Sequence, residues 1–167
     1  MIRWMATLGL GLALALSSTA SAGEAASPFA LRDVNGADVS LDQYKGQVVV
    51  LSFWATWCGP CKQEMPHLQK MYSDLKGQGL VVLSISSDDA RTASQVKPFV
   101  SRMGYTFPVL LDKESKVTGA YNPTKTLPYT VVIGRDGQVA SRHSGYNPGN
   151  EVDLRKELEG LLAIKAP

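Results

Sequence analysis

The sequence predicts an α/β fold: a central mixed β-sheet flanked by helices, with an N-terminal β-hairpin and a central insertion. Three observations carry this. Two apolar, β-branched runs, Val48–Trp54 and Leu80–Ser86, bracket an amphipathic helical stretch, which makes a βαβ unit. Two later strand-like runs meet at Asp136-Gly137, a hairpin turn signal, and a leucine-striped helix follows. Strands and helices alternate along the chain, so helices should cover both faces of one sheet.

The elements follow in order. Residues 1–22 read as a secretory signal peptide: Arg3 supplies the positive start, residues 5–16 are 12 uncharged and mostly apolar residues, and the stretch ends Ala20-Ser21-Ala22, a cleavage pattern. A membrane span needs roughly 20 apolar residues, so no stable membrane insertion is expected after cleavage. No cysteine follows the cleavage site, which removes lipoprotein anchoring. Residues 23–27 form a mobile tail, and residues 28–167 one domain. Residues 29–41 make a hairpin turned at Asn35-Gly36. Val48–Trp54 is a buried central strand. Residues 60–76 are a helix with Met65, Leu68, Met71, Tyr72 and Leu75 on one face; Pro66 kinks it and Gly77 stops it. Leu80–Ser86 is the second buried strand. Residues 93–103 are helical and Gly104 ends them. Val109–Leu111, Tyr129–Ile133 and Val139–Ser144 are strands. Asn150 caps a last helix whose Leu154, Leu158, Leu161 and Leu162 form one stripe.

Charge excludes some functions. Without the leader the chain carries 16 basic side chains (17 less Arg3) against 15 acidic ones. So balanced a domain has no electrostatic case for nucleic acid or for an anionic membrane.

The chemistry sits in Trp57-Cys58-Gly59-Pro60-Cys61. These are the only two cysteines. They are two residues apart, after a strand and at the start of a helix, where the reactive edge of such a sheet lies. A zinc site would need about two more ligands. His67 and His143 are far apart in sequence, and no metal or organic cofactor is expected. In a helix N-terminus the Cys58 thiolate faces unpaired N–H groups and the positive end of the dipole, which lowers a cysteine pKa from about 8.5 toward neutral. Cys61, one turn further in, is the resolving thiol. Pro60 fits the first turn, where a missing N–H costs nothing.

The segment from Ser52 to Lys62 resembles the active-site segment of the thioredoxin superfamily. The chain is more similar still to its TlpA/ResA-like thiol–disulfide oxidoreductases: the front hairpin, Phe53-Trp54-Ala55-Thr56-Trp57-Cys58, Glu64 and Pro66 in the first helix, Thr106-Phe107-Pro108 after an insertion, and Leu127-Pro128-Tyr129-Thr130. The resemblance spans residues 28 to 164 and implies a thioredoxin-like fold. It implies a cis bond before Pro128 that leaves the Leu127 backbone free to pair with an extended substrate. Trp57, Gly59, Pro60, Leu127, Pro128 and Gly145 would then line the substrate groove. Thioredoxin has a buried aspartate six residues before the first cysteine; here that position is Ser52, a poor base. Asp88 and Asp89, after the second strand, are candidate proton acceptors, as such an acid is in the ResA-like branch. Glu64 is a third candidate, although its helical position places it off the apolar face.

The expected function is a periplasmic, or otherwise extracytoplasmic, thiol–disulfide oxidoreductase. Its partners are disulfide-containing proteins and a membrane thiol–disulfide electron donor, and a monomer is expected. The Gly-Pro dipeptide matches thioredoxin, at about −270 mV, rather than the oxidant DsbA, at about −120 mV, so reduction of exported apoproteins is the expected direction. Haem-attachment cysteines of apocytochrome c and copper-ligand cysteines are the target classes. Two other classes compete: a copper(I)-binding chaperone and a thiol peroxidase. The second wants a proline seven residues before the reactive cysteine, where this chain has Leu51.

Overall fold

The computed structural model describes residues 23–165; the leader expected at residues 1–22 lies outside them. The strands are β1 (Ala30–Arg32), β2 (Asp38–Ser40), β3 (Val48–Trp54), β4 (Leu80–Ser86), β5 (Val109–Leu111), β6 (Tyr129–Ile133) and β7 (Val139–Ser144). The helices are α1 (Gly59–Leu75), α2 (Val96–Met103), α3 (Lys116–Tyr121) and α4 (Asn150–Ala163). The main sheet has order β5-β4-β3-β6-β7, and β1 and β2 form a separate antiparallel pair. β3 runs parallel to β4, and β4 to β5. β6 is antiparallel to both β3 and β7, so the sheet is mixed.

The absence of alternation in β3 has a simple cause: both of its faces are covered. Val48, Val50 and Trp54 pack into one core layer with α1, α2 and α4. Val49, Leu51 and Phe53 pack into the other, with Val117 and Tyr121 of α3 and Val39 of the hairpin. At the sheet edge, β7 alternates between half-buried and exposed residues.

Several boundaries differ from the sequence expectation. α1 ends at Leu75 and a 3₁₀ turn, Lys76–Gln78, follows; the left-handed residue that closes it is Gly79, at φ 98°, rather than Gly77. Residues 93–103 divide into a 3₁₀ turn, Ala93–Gln95, and α2. Asn150 is the first residue of α4 and not its cap; the cap position is Gly149, and the Asn150 side chain accepts from the Asn147 N–H at 2.8 Å. α3 was not expected. Its first turn is organised by buried Asp112, which accepts the N–H groups of Lys116 at 3.0 Å and Thr118 at 2.6 Å. Residues 23–27, expected as a mobile tail, run against the β6–β7 turn: Ala25 bridges Gln138, and the Val139 N–H donates to the Glu24 carbonyl at 2.8 Å.

Candidate active site

β3 delivers the chain to the reactive edge, and a tight turn passes it into α1. The Cys58 N–H donates to the Ala55 carbonyl at 3.0 Å, closing that turn. Cys58 is the N-cap of α1, and Pro60 lies in the first turn, where no intrahelical donor is needed. Cys58 and Cys61 form a disulfide with their Cα atoms 5.4 Å apart. The Cys61 N–H donates to the Cys58 sulfur at 3.3 Å, as a helix start offers a backbone donor to a developing thiolate. Cys61 is fully buried and Cys58 is 5% exposed, whereas the neighbouring Trp57 is 65% exposed.

β3 ends where β6 begins: Phe53 pairs with Tyr129. That register brings the Leu127-Pro128 turn to the same sheet edge as the dithiol. The Leu127-Pro128 bond is cis. The Gly145 N–H donates to the Pro128 carbonyl at 2.8 Å, so the end of β7 joins the same edge. Gly145 has φ 76°, a left-handed conformation that suits glycine.

The acids occupy different surroundings. Asp89 is partly exposed and pairs with Arg91 at 2.8 Å, which with other local hydrogen bonds holds its carboxyl below the usual range. Asp88 is buried and accepts three hydrogen bonds, two from Thr56 and one from Ser86. Glu64 corrects the helical expectation: it is only 7% exposed. The reason is the width of the buried stripe. Glu64 lies three residues after buried Cys61, on the same side of the helix, and α1 packs against α4 as well as the sheet.

Glu64 accepts one hydrogen bond, from the Thr130 hydroxyl at 3.2 Å to Oε1, while Oε2 has no partner among the described residues. Burial pushes its carboxyl up to about 7, against a small opposing effect of the Thr130 bond. Thr130 stands opposite Ser52 in the antiparallel pair, and Ser52 stands opposite Ser84 in the parallel one. Ser84, Ser52 and Thr130 therefore form a buried polar row across the sheet, and the Ser52 and Ser84 hydroxyls also lack partners among the described residues. Glu64 reaches this row from α1 through its bond with Thr130.

Glu64 also lines a cavity of about 440 Å³, together with His67, His143, Gly145, Tyr146 and Leu154. Sequence spacing had given no reason to place the two histidines in one cavity. His67 stacks on Tyr146 with ring centroids 6.0 Å apart, and the His143 Nε2 lies 2.9 Å from Glu157. Among the described residues, no group of three or more His, Cys, Asp or Glu is arranged to hold a metal ion.

Residues 22–142 match the AhpC/TSA family. The chain belongs to that family. Within it, the chain is 38% identical over 128 residues to the thiol-disulfide oxidoreductase ResA of Halalkalibacterium halodurans, covering 77% of this chain and 71% of that one. It is 37% identical over 125 residues to ResA of Bacillus subtilis, covering 75% and 68% respectively. A structure from Chlorobium tepidum, assigned as a thiol:disulfide interchange protein DsbE, superposes with TM-score 0.78 at 30% identity over 84% of this chain and 97% of that one. This AhpC/TSA member has a thioredoxin-like fold and is a thiol–disulfide oxidoreductase with a Cys58–Cys61 redox pair.

Proposed function

We propose that the protein acts outside the cytoplasm as a reductant of disulfides in exported apoproteins, with cysteines destined for haem attachment or copper ligation as the target classes. The observation that carries this reading is the Cys58–Cys61 pair at the N-terminus of α1, with the Gly-Pro dipeptide between them and exposed Trp57 beside them. The leader-like first 22 residues support the compartment. The substrate strand lies against Leu127 and Pro128, with Trp57, Gly59, Pro60 and Gly145 completing the groove.

The reaction starts from the dithiol. The Cys58 thiolate attacks one sulfur of the substrate disulfide and expels the other as a thiolate, forming a mixed disulfide. Glu64 takes the proton of the Cys61 thiol, and the resulting thiolate attacks the Cys58 sulfur. The second substrate sulfur leaves, two electrons have moved to the substrate, and the Cys58–Cys61 disulfide has formed. Of the three candidate acids, Glu64 alone combines burial, an unpartnered oxygen and a carboxyl raised to about 7, which suits a base working near neutral pH. The cavity beside it gives the proton a route to solvent. A membrane thiol–disulfide donor returns the electrons.

Trapping tests the substrate class. Cys61→Ala should accumulate mixed disulfides on Cys58 with exported proteins that carry closely spaced cysteines. Capture of only cytosolic proteins in intact cells would overturn the compartment and the substrates together. A glutathione titration tests the direction: a potential more negative than about −200 mV is expected, and a value near about −120 mV would make the protein an oxidant.

A further inference from the structure

Cys58 leaves a seven-residue strand through a turn whose most exposed member is Trp57. A flexible turn would let the nucleophile wander, and thiol–disulfide exchange needs its three sulfurs in line. Thr56 is the last buried side chain before Cys58, at 8% exposure. Both of its donors end on one carboxylate. Its N–H donates to Asp88 Oδ2 at 2.9 Å and its hydroxyl to Oδ1 at 2.6 Å. The Ser86 hydroxyl donates to Oδ2 at 2.9 Å and itself accepts the Asp88 N–H at 3.1 Å. Asp88 is 1% exposed, so this closed network lies out of reach of bulk water.

We propose that Asp88 is a positioning residue for the nucleophile, fixing Cys58 at the tip of α1 through Thr56. This rests on the oxidoreductase reading above. Three donors converge on the two oxygens of the Asp88 carboxylate, which satisfies all of them as acceptor. The sheet does not need this contact for its register. β3 and β4 are already paired from Val48 with Leu80 to Trp54 with Ser86, and the Ser87 N–H donates to the Trp54 carbonyl at 2.8 Å beyond that. What the carboxylate adds is the place of Thr56, two residues before the sulfur. A misplacement of about 1 Å in a reacting group costs on the order of 10²-fold in rate.

The test compares Asp88→Asn, Thr56→Val and Thr56→Ser with the wild type. Each is assayed for iodoacetamide alkylation of reduced Cys58 against pH, for reduction of a protein disulfide, and for thermal unfolding. Asparagine keeps one acceptor oxygen and replaces the other by an NH2 donor, so either the Thr56 hydroxyl must reverse its bond or the Thr56 N–H loses its partner. Asp88→Asn should alkylate at least about fivefold more slowly at neutral pH, with its profile moved to higher pH, and reduce protein disulfides about 10- to 100-fold more slowly. Thr56→Val, which keeps the acid and loses only the hydroxyl, should move the same way by less, and Thr56→Ser should restore wild-type behaviour. Loss of a nearby negative charge alone would favour the thiolate and speed alkylation, so the sign separates position from charge. Faster alkylation in Asp88→Asn, or an unchanged profile with only a lower unfolding temperature, overturns the proposal. If Asp88→Asn does not fold, Thr56→Val decides it on the same readouts. A wild-type protein inert toward disulfides would instead sink the oxidoreductase reading and leave the alkylation comparison standing.

Discussion

Glu64 and Asp88 are both buried carboxyl groups, and they are bonded in opposite ways. Asp88, after β4, receives three donors and touches the turn through Thr56. Glu64, on α1, receives one donor and keeps a bare oxygen beside a cavity. A carboxylate with both oxygens bonded serves as a fixed point. An under-served one is driven toward its neutral form and can trade a proton at neutral pH. Burial alone would have ranked the two acids alike; the count of donors separates them.

The contrast can be broken by exchanging each acid. The largest effect is expected for Glu64→Gln on turnover. The amide fills the same space but cannot accept a proton, so protein-disulfide reduction at pH 7.5 should slow by about 10²-fold or more. A rate within twofold of wild type, in a stopped-flow assay with a natural or model disulfide protein, would remove Glu64 from the mechanism.

Asp88→Ala comes next, and its effect is on stability. It strands two Thr56 donors and one Ser86 donor in the interior, and urea unfolding should register a loss of about 4 kcal/mol. A loss under about 1 kcal/mol would mean that water replaces the carboxylate and the clamp is weak.

Glu64→Gln should do the reverse to stability. The folded carboxyl sits at about 7 against an ordinary value of 4.5, so the native state holds a proton that the unfolded chain releases between those values. Stability is therefore highest below the unfolded value and falls as pH rises through about 7. At pH 8 the charged acid costs the native state up to about 3 kcal/mol, which Gln removes; below pH 4.5 the variant and wild type should unfold alike. Equal stability of the two proteins at pH 8 would contradict the raised value.

The smallest effect separates the two sulfurs. In the reduced protein Cys58, at the helix tip, should alkylate before fully buried Cys61. Mass mapping of a partial reaction that found Cys61 labelled first would reverse their roles.

How much of this was legible in the chain depends on how local each cause is. The sheet and α1, α2 and α4 follow from apolar periodicity, which is a property of neighbours in sequence. α3 carries no such pattern; it forms because Asp112 gathers the N–H groups at its start. The cysteine pair and the Leu127-Pro128 turn were readable because they are short segments. Glu64 was named as a candidate yet set off the apolar face, since a charged residue on a helix is usually solvated. The signal that could have corrected this was its three-residue spacing from Cys61 together with the missing acid at Ser52. Asp88 was legible as an acid near the edge, but not its bonds to Thr56, which lies 32 residues earlier in the chain.

The central claim is that Glu64 is the acid poised to exchange a proton near neutral pH. The most direct measurement is an NMR titration of the Glu64 side-chain carboxyl in the oxidised protein, assigned by comparison with Glu64→Gln. The account predicts a midpoint near 7. A midpoint near the ordinary 4.5 would contradict it.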